Sequence, residues 1–215
     1  MDTTYWGRNF GVVVFKDKIT KKILWRKFIY RKEHISDYTE GIKWLKEHKF
    51  NIIGIVCDGL KGLFKELDGY KIQMCQYHQI KITERYLTLS PETIAGQELL
   101  KLVKEITCMD KESFIGAFDA WNSSWNYFLQ EHRIDDNGRK IFIHRRLRSA
   151  VRSMKTNMKY LWTWYDFIEL GIPNTNNALE GYFTHLKSKL NVHNGINIRH
   201  REIFIDKYLA KEYER

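Results

Sequence analysis

Short runs of β-branched and aromatic residues alternate with polar turns near the start of the chain. The run Phe10–Phe15 is followed by the polar triplet Lys16–Lys18 and by a second run, Ile23–Tyr30. This pattern predicts two strands joined as an antiparallel hairpin. Residues Met1–Trp6 have the same character and are predicted to form a strand that precedes the hairpin.

An amphipathic helix is predicted after these strands. Ser36 can cap its N-terminus, and Asp37 is favourably placed at the positive end of the helix dipole. The apolar residues Tyr38, Ile42 and Leu45 have the i, i+4, i+7 spacing of a helix that buries one face.

The next apolar segment, Asn51–Gly59, is almost continuously hydrophobic. Such a run is typical of a strand buried on both faces. A helix at about Leu60–Leu67 and a strand at about Tyr70–Cys75 complete a β-β-β-α-β-α-β series.

Helical periodicity dominates from about Gln79 to Tyr165. Asp135–Gly138 is predicted to be a turn between two of these helices, and Gly171–Asn174 interrupts the pattern. A final long helix is predicted from Thr175 or Asn176 to Leu190, followed by a short tail helix. The periodic apolar positions are Leu99, Leu102, Val103, Ile106, Phe114, Phe118, Trp121, Trp125 and Phe128.

Composition narrows the class of protein. The 215 residues are 43% hydrophobic with only two prolines, which excludes a disordered chain. The net charge of +10 suggests a polyanionic partner, nucleic acid before an anionic membrane surface. No apolar run approaches the length of a membrane span. The three cysteines do not form a disulfide pattern, so we expect a soluble cytoplasmic protein.

Three carboxylates are candidates for chemistry. Asp2 lies in the predicted first strand, and Asp58 ends the apolar strand directly before Gly59, where a side chain can project beyond a sheet. Glu180 lies on the last long helix. Taken singly, each has an ordinary alternative, because an Asp before Gly is commonly a turn residue and a helical Glu is usually solvated.

The last long helix strengthens the case for Glu180. Asn176, Glu180 and Lys187 lie along one flank of its apolar stripe, which places Glu180 at the margin of the core. Acids that converge from two strands and a helix suit Mg²⁺, a hard cation that prefers oxygen ligands. The stripe itself consists of Leu179, Tyr182, Phe183, Leu186 and Leu190.

In ordered combination, these motifs resemble the catalytic core of the DDE transposases, specifically the Mutator-like group and related bacterial insertion-sequence transposases. The likeness covers nearly the whole chain and rests on Asp2–Tyr5, Val56–Gly59, Cys75–His78 and Thr175–Gly181 together with Lys187. It implies cleavage at transposon ends with two Mg²⁺ ions, for which Mn²⁺ is expected to substitute, and strand transfer to target DNA. The metal ligands would be Asp2, Asp58 and Glu180, with Cys75, His78, Asn176 and Lys187 in supporting roles.

The resemblance also implies a fold. We expect a ribonuclease H-like α/β domain with a mixed five-stranded sheet in the order 3-2-1-4-5 and a large all-helical insertion before the last catalytic helix. The core would comprise residues 1–80 and 171–215, and the insertion residues 81–170. Only Met1 precedes Asp2, so a truncated chain without the usual N-terminal DNA-binding domain is expected. A homodimer that holds two DNA ends, associated with the bacterial nucleoid, would fit this function.

Cys75 and His78 have a spacing that also invites a zinc interpretation. Structural zinc requires four protein ligands, and the other two cysteines do not form a second pair. A buried thiol with a histidine at the sheet edge is the better interpretation.

A basic stretch spans residues 144–159. Five cations recur at intervals of three or four residues, and no acid interrupts them, so we expect this helical face to bind DNA. A solvated surface with snorkelling side chains is the ordinary alternative. The five are Arg145, Arg148, Arg152, Lys155 and Lys159, and Lys187, Lys189, His193, Arg199, His200 and Arg201 are candidates to extend the patch.

Three functions therefore remain open. The first is a metal-dependent DNA transposase. The second is a catalytically inactive transposase remnant that binds DNA through the basic helix. The third is another ribonuclease H-like nuclease, such as a resolvase, which hydrolyses DNA without joining it.

Overall fold

The structure is a computed structural model that describes residues 1–192 and 195–210. The mixed α/β class predicted from the sequence is confirmed. The chain divides into two units, one formed by Met1–Ile72 with Asn176–Arg215 and the other by Gln73–Thr175. Within the described ranges, no helix combines the length and hydrophobicity needed to cross a membrane.

The elements follow one another along the chain with short connections. They are β1 (Asp2–Trp6), β2 (Phe10–Lys16), β3 (Ile23–Ile29), α1 (Ile35–Glu47), β4 (Ile55–Cys57), α2 (Leu63–Glu66), β5 (Ile72–Met74), α3 (Gln76–Leu87), α4 (Ile94–Lys104), α5 (Lys111–Ser124), α6 (Asn126–Gln130), β6 (His132–Ile134), β7 (Lys140–Phe142), α7 (Arg145–Leu161), α8 (Thr163–Asp166), α9 (Asn177–Asn191) and α10 (Ile198–Ala210).

In the first unit, β2 is the central strand of an antiparallel sheet in the order β1-β2-β3. Val14 lies opposite Asp2 of β1, and Val13 lies opposite Lys27 of β3. Every residue of β2 from Phe10 to Phe15 is buried. Successive side chains of a strand point to opposite faces, so this continuous apolar run requires cover on both sides of the sheet.

Helices α9 and α10 cover one face of this sheet. The predicted stripe on α9 is confirmed, because Leu179, Phe183, Leu186 and Leu190 are all buried there. Burial of each such side chain contributes about 1.5–3 kcal/mol relative to exposure. The shared core comprises these four residues with Phe10, Val12, Val14, Ile23, Ile205 and Leu209.

Helix α1 covers the other face, where the ring of Phe15 stacks with that of Tyr38 at 6.4 Å. The approach is closest at Gly41, where an added Cβ would lie 2.7 Å from ring carbons of Phe15 and Trp25. The predicted cap at Ser36 is wrong: the helix begins at Ile35 with His34 as its N-cap residue. The carboxylate that meets the helix N-terminus belongs to Asp37, which accepts the backbone N–H of His34 at 2.9 Å.

The continuous five-stranded sheet in the order 3-2-1-4-5 is not seen. The described strands form separate sheets, with β1, β2 and β3 in one and β4 and β5 in another. The run Asn51–Gly59 contributes only the short strand Ile55–Cys57, and Ile53 is 46% exposed. With so short a β4, the contact that joins it to the start of β1 is one hydrogen bond, from the α-amino group of Met1 to the carbonyl oxygen of Val56 at 2.7 Å.

The second unit is mostly helical, with α3 packed against α4 and α7. Its buried apolar residues include Leu99, Phe114, Phe118 and Met154. Two of them, Phe114 and Phe118, lie one helical turn apart on α5, as their spacing predicts.

The prediction that the insertion is entirely helical is wrong, because β6 and β7 form an antiparallel hairpin. The segment Asp135–Gly138 is the loop of this hairpin and not a turn between helices. The Asp135 carboxylate accepts the backbone N–H groups of Asn137 and Arg139 at 3.0 and 2.7 Å, and Gly138 has a φ of +72°. An Asn-Gly pair between alternating apolar residues is a known hairpin signal, so the sequence did contain this information.

Candidate functional site

Asp2 is held firmly by its neighbours in β1 and β2. It pairs in the ladder with Val14 and is only 6% exposed. Its Oδ1 atom accepts the backbone N–H of Thr3 at 2.8 Å. Alternation along β1 places Asp2 on the same face as Trp6, which packs against the core formed with α9 and α10.

Asp58 directly follows β4 and is half-buried. A carboxylate oxygen of Asp58 and one of Asp2 lie within 4.8 Å of each other. Two carboxylates at this separation repel each other when both are ionised, so the pair favours a proton or a cation between them. The structure therefore brings together the two predicted strand acids, which are 56 residues apart in sequence.

Met1 connects this pair to the last long helix. Its α-amino group donates to Val56, two residues before Asp58, and its carbonyl oxygen accepts from Nδ2 of Asn176 at 3.2 Å. Asn176 is the N-cap residue of α9. The beginning of β1, the end of β4 and the beginning of α9 therefore meet around a single residue.

Glu180 lies in the first turn of α9, where its backbone N–H donates to the carbonyl oxygen of Asn176 at 3.2 Å. Asn176, Glu180 and Lys187 are all half-buried, at the flank where the sequence predicted them. The carboxylates of Asp2, Asp58 and Glu180 do not all lie within 4.8 Å of one another. The structure thus brings Glu180 to the same end of the sheet by its helix, and brings only the two aspartates into close approach.

The carboxylate of Glu33 is a member of this site that sequence reasoning missed. Burial raises the pKa of Glu33, and the negative charge of Asp58 raises it further, whereas hydrogen bonds with the hydroxyl groups of Thr3, Tyr38 and Tyr5 lower it. Glu33 lies in the polar run 31–34, which resembles an ordinary surface loop, and no signal in the sequence distinguishes it.

Tyr38 is completely buried beside these acids. Burial raises its pKa well above the usual range, and the charges of Asp58 and Glu33 raise it further. Tyr38 therefore remains a neutral hydroxyl group, and it donates a hydrogen bond to Oε2 of Glu33 at 3.0 Å.

Asp37 differs from the acids of this site because it has its own cations. Arg31 binds its two oxygens in a bidentate arrangement at 2.7 and 2.8 Å, and Lys27 lies 3.0 Å away. Burial alone would raise the pKa of Asp37, but the hydrogen bonds from Arg31, the backbone of His34 and Lys27 outweigh burial and hold it far below its usual range. Asp37 is therefore a structural carboxylate.

The donor set of Asp2 and Asp58 fits Mg²⁺. This ion takes one or two protein carboxylates and completes its octahedral shell with water and substrate phosphate oxygens. The two aspartates would hold the ion, and Glu180 is the candidate for a further ligand.

Cys75 and His78 lie in the second unit, at the start of α3. Cys75 is buried at the N-cap position, His78 is half-buried, and the Cys75 sulfur and a His78 ring nitrogen lie within 4.8 Å of each other. None of the three cysteines forms a disulfide bond. Their supporting role remains a prediction.

The basic face of α7 carries most of the predicted DNA-binding residues. Arg145, Arg152, Lys155 and Lys159 are exposed, and none of them forms an ion pair with any part of the chain that the structure describes. Helix α7 itself contains no acidic residue. Of the candidates to extend this face, His193 lies outside the described residues.

Arg148 has a different environment from the other four cations. Its guanidinium group stacks over the ring of Phe142 at 3.5 Å and donates to the carbonyl oxygen of Leu129. It therefore fixes the β6–β7 hairpin against α7, with help from the ion pair between His144 and Glu131 at 2.8 Å. The sequence could not separate Arg148 from its neighbours, because this role depends on residues that precede α7.

Comparison of the chain with protein-family models, with curated proteins and with solved structures finds no match.

Proposed function

We propose that this protein is the catalytic domain of a DDE-type DNA transposase that cleaves and joins phosphodiester bonds with Mg²⁺. The observation that carries the proposal is the approach of Asp2 and Asp58 to within 4.8 Å at the end of β4. The link from Met1 to Asn176 supports the proposal further, because it fixes the helix that carries Glu180 beside the same strand ends.

Each residue type would have a defined task. Bound Mg²⁺ would activate the attacking oxygen and neutralise charge on the phosphate. Asp2 and Asp58 would hold the metal, and Glu180 would complete the ligand set from a rigid helix. The exposed cations of α7 would bind the DNA backbone and set its position.

The proposal includes a ribonuclease H-like arrangement of the first unit. The neighbours β1, β2 and β3 and the separate pair β4 and β5 form the two parts of the expected order 3-2-1-4-5. The hydrogen bond from Met1 to Val56 lies where the two parts would join. Double-stranded DNA is the proposed partner, and a homodimer would hold two DNA ends.

The test is a nicking assay with the full chain and supercoiled plasmid DNA. We expect nicked plasmid in Mg²⁺ or Mn²⁺ and intact plasmid in EDTA. An added oligonucleotide with a free 3′-hydroxyl distinguishes the enzymes, because a transposase joins it to the plasmid, whereas a hydrolytic nuclease of this fold only nicks. Intact plasmid in both metals, despite DNA binding, would contradict an enzymatic function.

A DNA-binding remnant without activity is the second candidate, and the basic face of α7 favours it. The double substitution Arg152→Gln/Lys155→Gln is expected to weaken DNA binding and to reduce the slope of log K against log salt by about 1.8, since each lost phosphate contact removes about 0.9. Fluorescence anisotropy at several salt concentrations measures this slope.

Arg148→Gln is the matched control for that double variant. It should lower the free energy of unfolding by about 2 kcal/mol, because a charge-assisted hydrogen bond and a stacking contact are lost. Its salt slope should change less than that of the double variant. Equal slopes for wild type and the Arg152→Gln/Lys155→Gln variant would exclude this face as the DNA site.

A further inference from the structure

A chain of hydroxyl groups joins β1 to α1 through Glu33. The Tyr38 hydroxyl donates to Oε2 of Glu33, and Oγ1 of Thr3 lies 2.7 Å from the Tyr38 oxygen. The backbone N–H of Glu33 donates to the hydroxyl oxygen of Tyr5 at 2.7 Å. Two residues of β1 are thereby fixed to one acidic residue in the loop before α1.

These contacts act on β1 from the face opposite to Asp2. Thr3 and Tyr5 alternate with Asp2 and Thr4 along the strand, so the hydroxyl groups point towards α1 and Asp2 points towards α9. The backbone ladder with β2 fixes one edge of β1. The Glu33 contacts fix its α1 face, which limits movement of the strand that carries Asp2.

Glu33 also contributes charge. Its carboxylate is close enough to Asp58 for their negative charges to interact, and neither Tyr38 nor Thr3 can neutralise it. A third negative charge beside two converging carboxylates increases the electrostatic attraction for a divalent cation.

We propose that Glu33 is a positioning residue of the carboxylate site, which anchors β1 so that Asp2 faces Asp58 and increases the affinity of the site for a divalent cation. This inference rests on the proposed function, because it assumes that Asp2 and Asp58 bind a metal ion. Glu33 acts through Asp2 and Asp58, so it is not counted among the ligands.

Glu33→Gln tests the charge and largely preserves the contacts. Glutamine keeps an oxygen that can accept from Tyr38, and it removes the repulsion with Asp58. We therefore expect the metal-free variant to be as stable as wild type or more stable, while its affinity for Mg²⁺ and Mn²⁺ falls about 10-fold or more, as is typical when an outer partner of a metal site is lost. A residue with only a structural role would not change these two quantities in this combination.

Isothermal titration calorimetry of the full chain with Mg²⁺ alone and with Mn²⁺ alone measures the affinity, and urea unfolding in EDTA measures stability. Glu66→Gln is the matched control, because Glu66 is exposed on α2 in the same unit. Glu33→Asp retains the charge but withdraws the carboxylate by one methylene group, so an intermediate affinity is expected.

The outcomes separate the two proposals. Weaker metal binding in Glu33→Gln, with Glu66→Gln unchanged, supports the inference. Equal binding in wild type and Glu33→Gln overturns the inference alone and leaves the metal site standing. Failure of the wild-type protein to bind either metal overturns both the inference and the proposed function.

Discussion

Replacement of Asp58 by asparagine is expected to reduce Mg²⁺-dependent nicking more than about 100-fold, because loss of an outer partner alone typically costs a metal site about 10–100-fold. The substitution keeps the size of the side chain and removes one of the two charges that converge within 4.8 Å. The rate of plasmid nicking at saturating Mg²⁺ measures the effect.

Stability should change in the opposite direction from activity. The ionised Asp2 and Asp58 repel each other in the metal-free protein, so Asp58→Asn should unfold at the same or a higher urea concentration than wild type. This combination distinguishes loss of a metal ligand from loss of the fold. Addition of Mg²⁺ should raise the unfolding midpoint of wild type and not that of the variant.

Asp68→Asn is the matched control for Asp58→Asn. Asp68 also precedes a glycine, Gly69, but it is exposed. We expect its activity and its response to Mg²⁺ to equal those of wild type. Glu180→Gln should reduce nicking as Asp58→Asn does; nicking that persists in both Asp58→Asn and Glu180→Gln would refute the assignment of these acids.

The second large effect is expected at Asp37. Asp37→Ala should lower the free energy of unfolding by about 3–5 kcal/mol, which is the usual cost of removing one partner of a buried ion pair. Its carboxylate is completely buried and contacts Arg31, Lys27 and the backbone of His34. Urea unfolding at neutral pH measures the loss.

Asp206→Ala provides a matched comparison in the same unit. Asp206 forms an ion pair with Arg26 at 2.6 Å, but its side chain is 47% exposed. Exposed pairs contribute about 0–1 kcal/mol because water and salt screen them. A loss at Asp37 no larger than that at Asp206 would show that the buried cluster does not stabilise the fold.

The dependence on pH follows from the lowered pKa of Asp37. Its pKa in the folded protein lies below the value of about 3.9 expected for an unfolded chain, so the ionised group stabilises the fold above about pH 4. This contribution is lost as the pH falls through the folded-state pKa. The difference in stability between wild type and Asp37→Asn should therefore be constant from pH 7 to 5 and should shrink below about pH 4.

Much of the first unit could be predicted because its pattern is local. The apolar residues of β2 and the stripe on α9 are repeated at the spacing of a strand and of a helix, and both are buried as predicted. The hairpin β6–β7 was missed although its Asn-Gly loop was visible, because the surrounding helical pattern was given more weight.

Sheet continuity depends on pairing and not on pattern. The run Asn51–Gly59 is apolar enough for a long strand, but a strand forms only where a neighbour supplies its hydrogen bonds, and this segment has such a partner over three residues. Hydrophobicity alone could not set that limit.

The sequence by itself determined the α/β class, the helices with one apolar face and the choice of Asp2, Asp58 and Glu180 as candidates. Only the tertiary structure decided that Asp2 and Asp58 approach each other and that Glu33 lies beside them. The physical reason is that periodicity records which side of an element is buried, whereas electrostatic interactions depend on distances between segments that the linear order of residues does not contain.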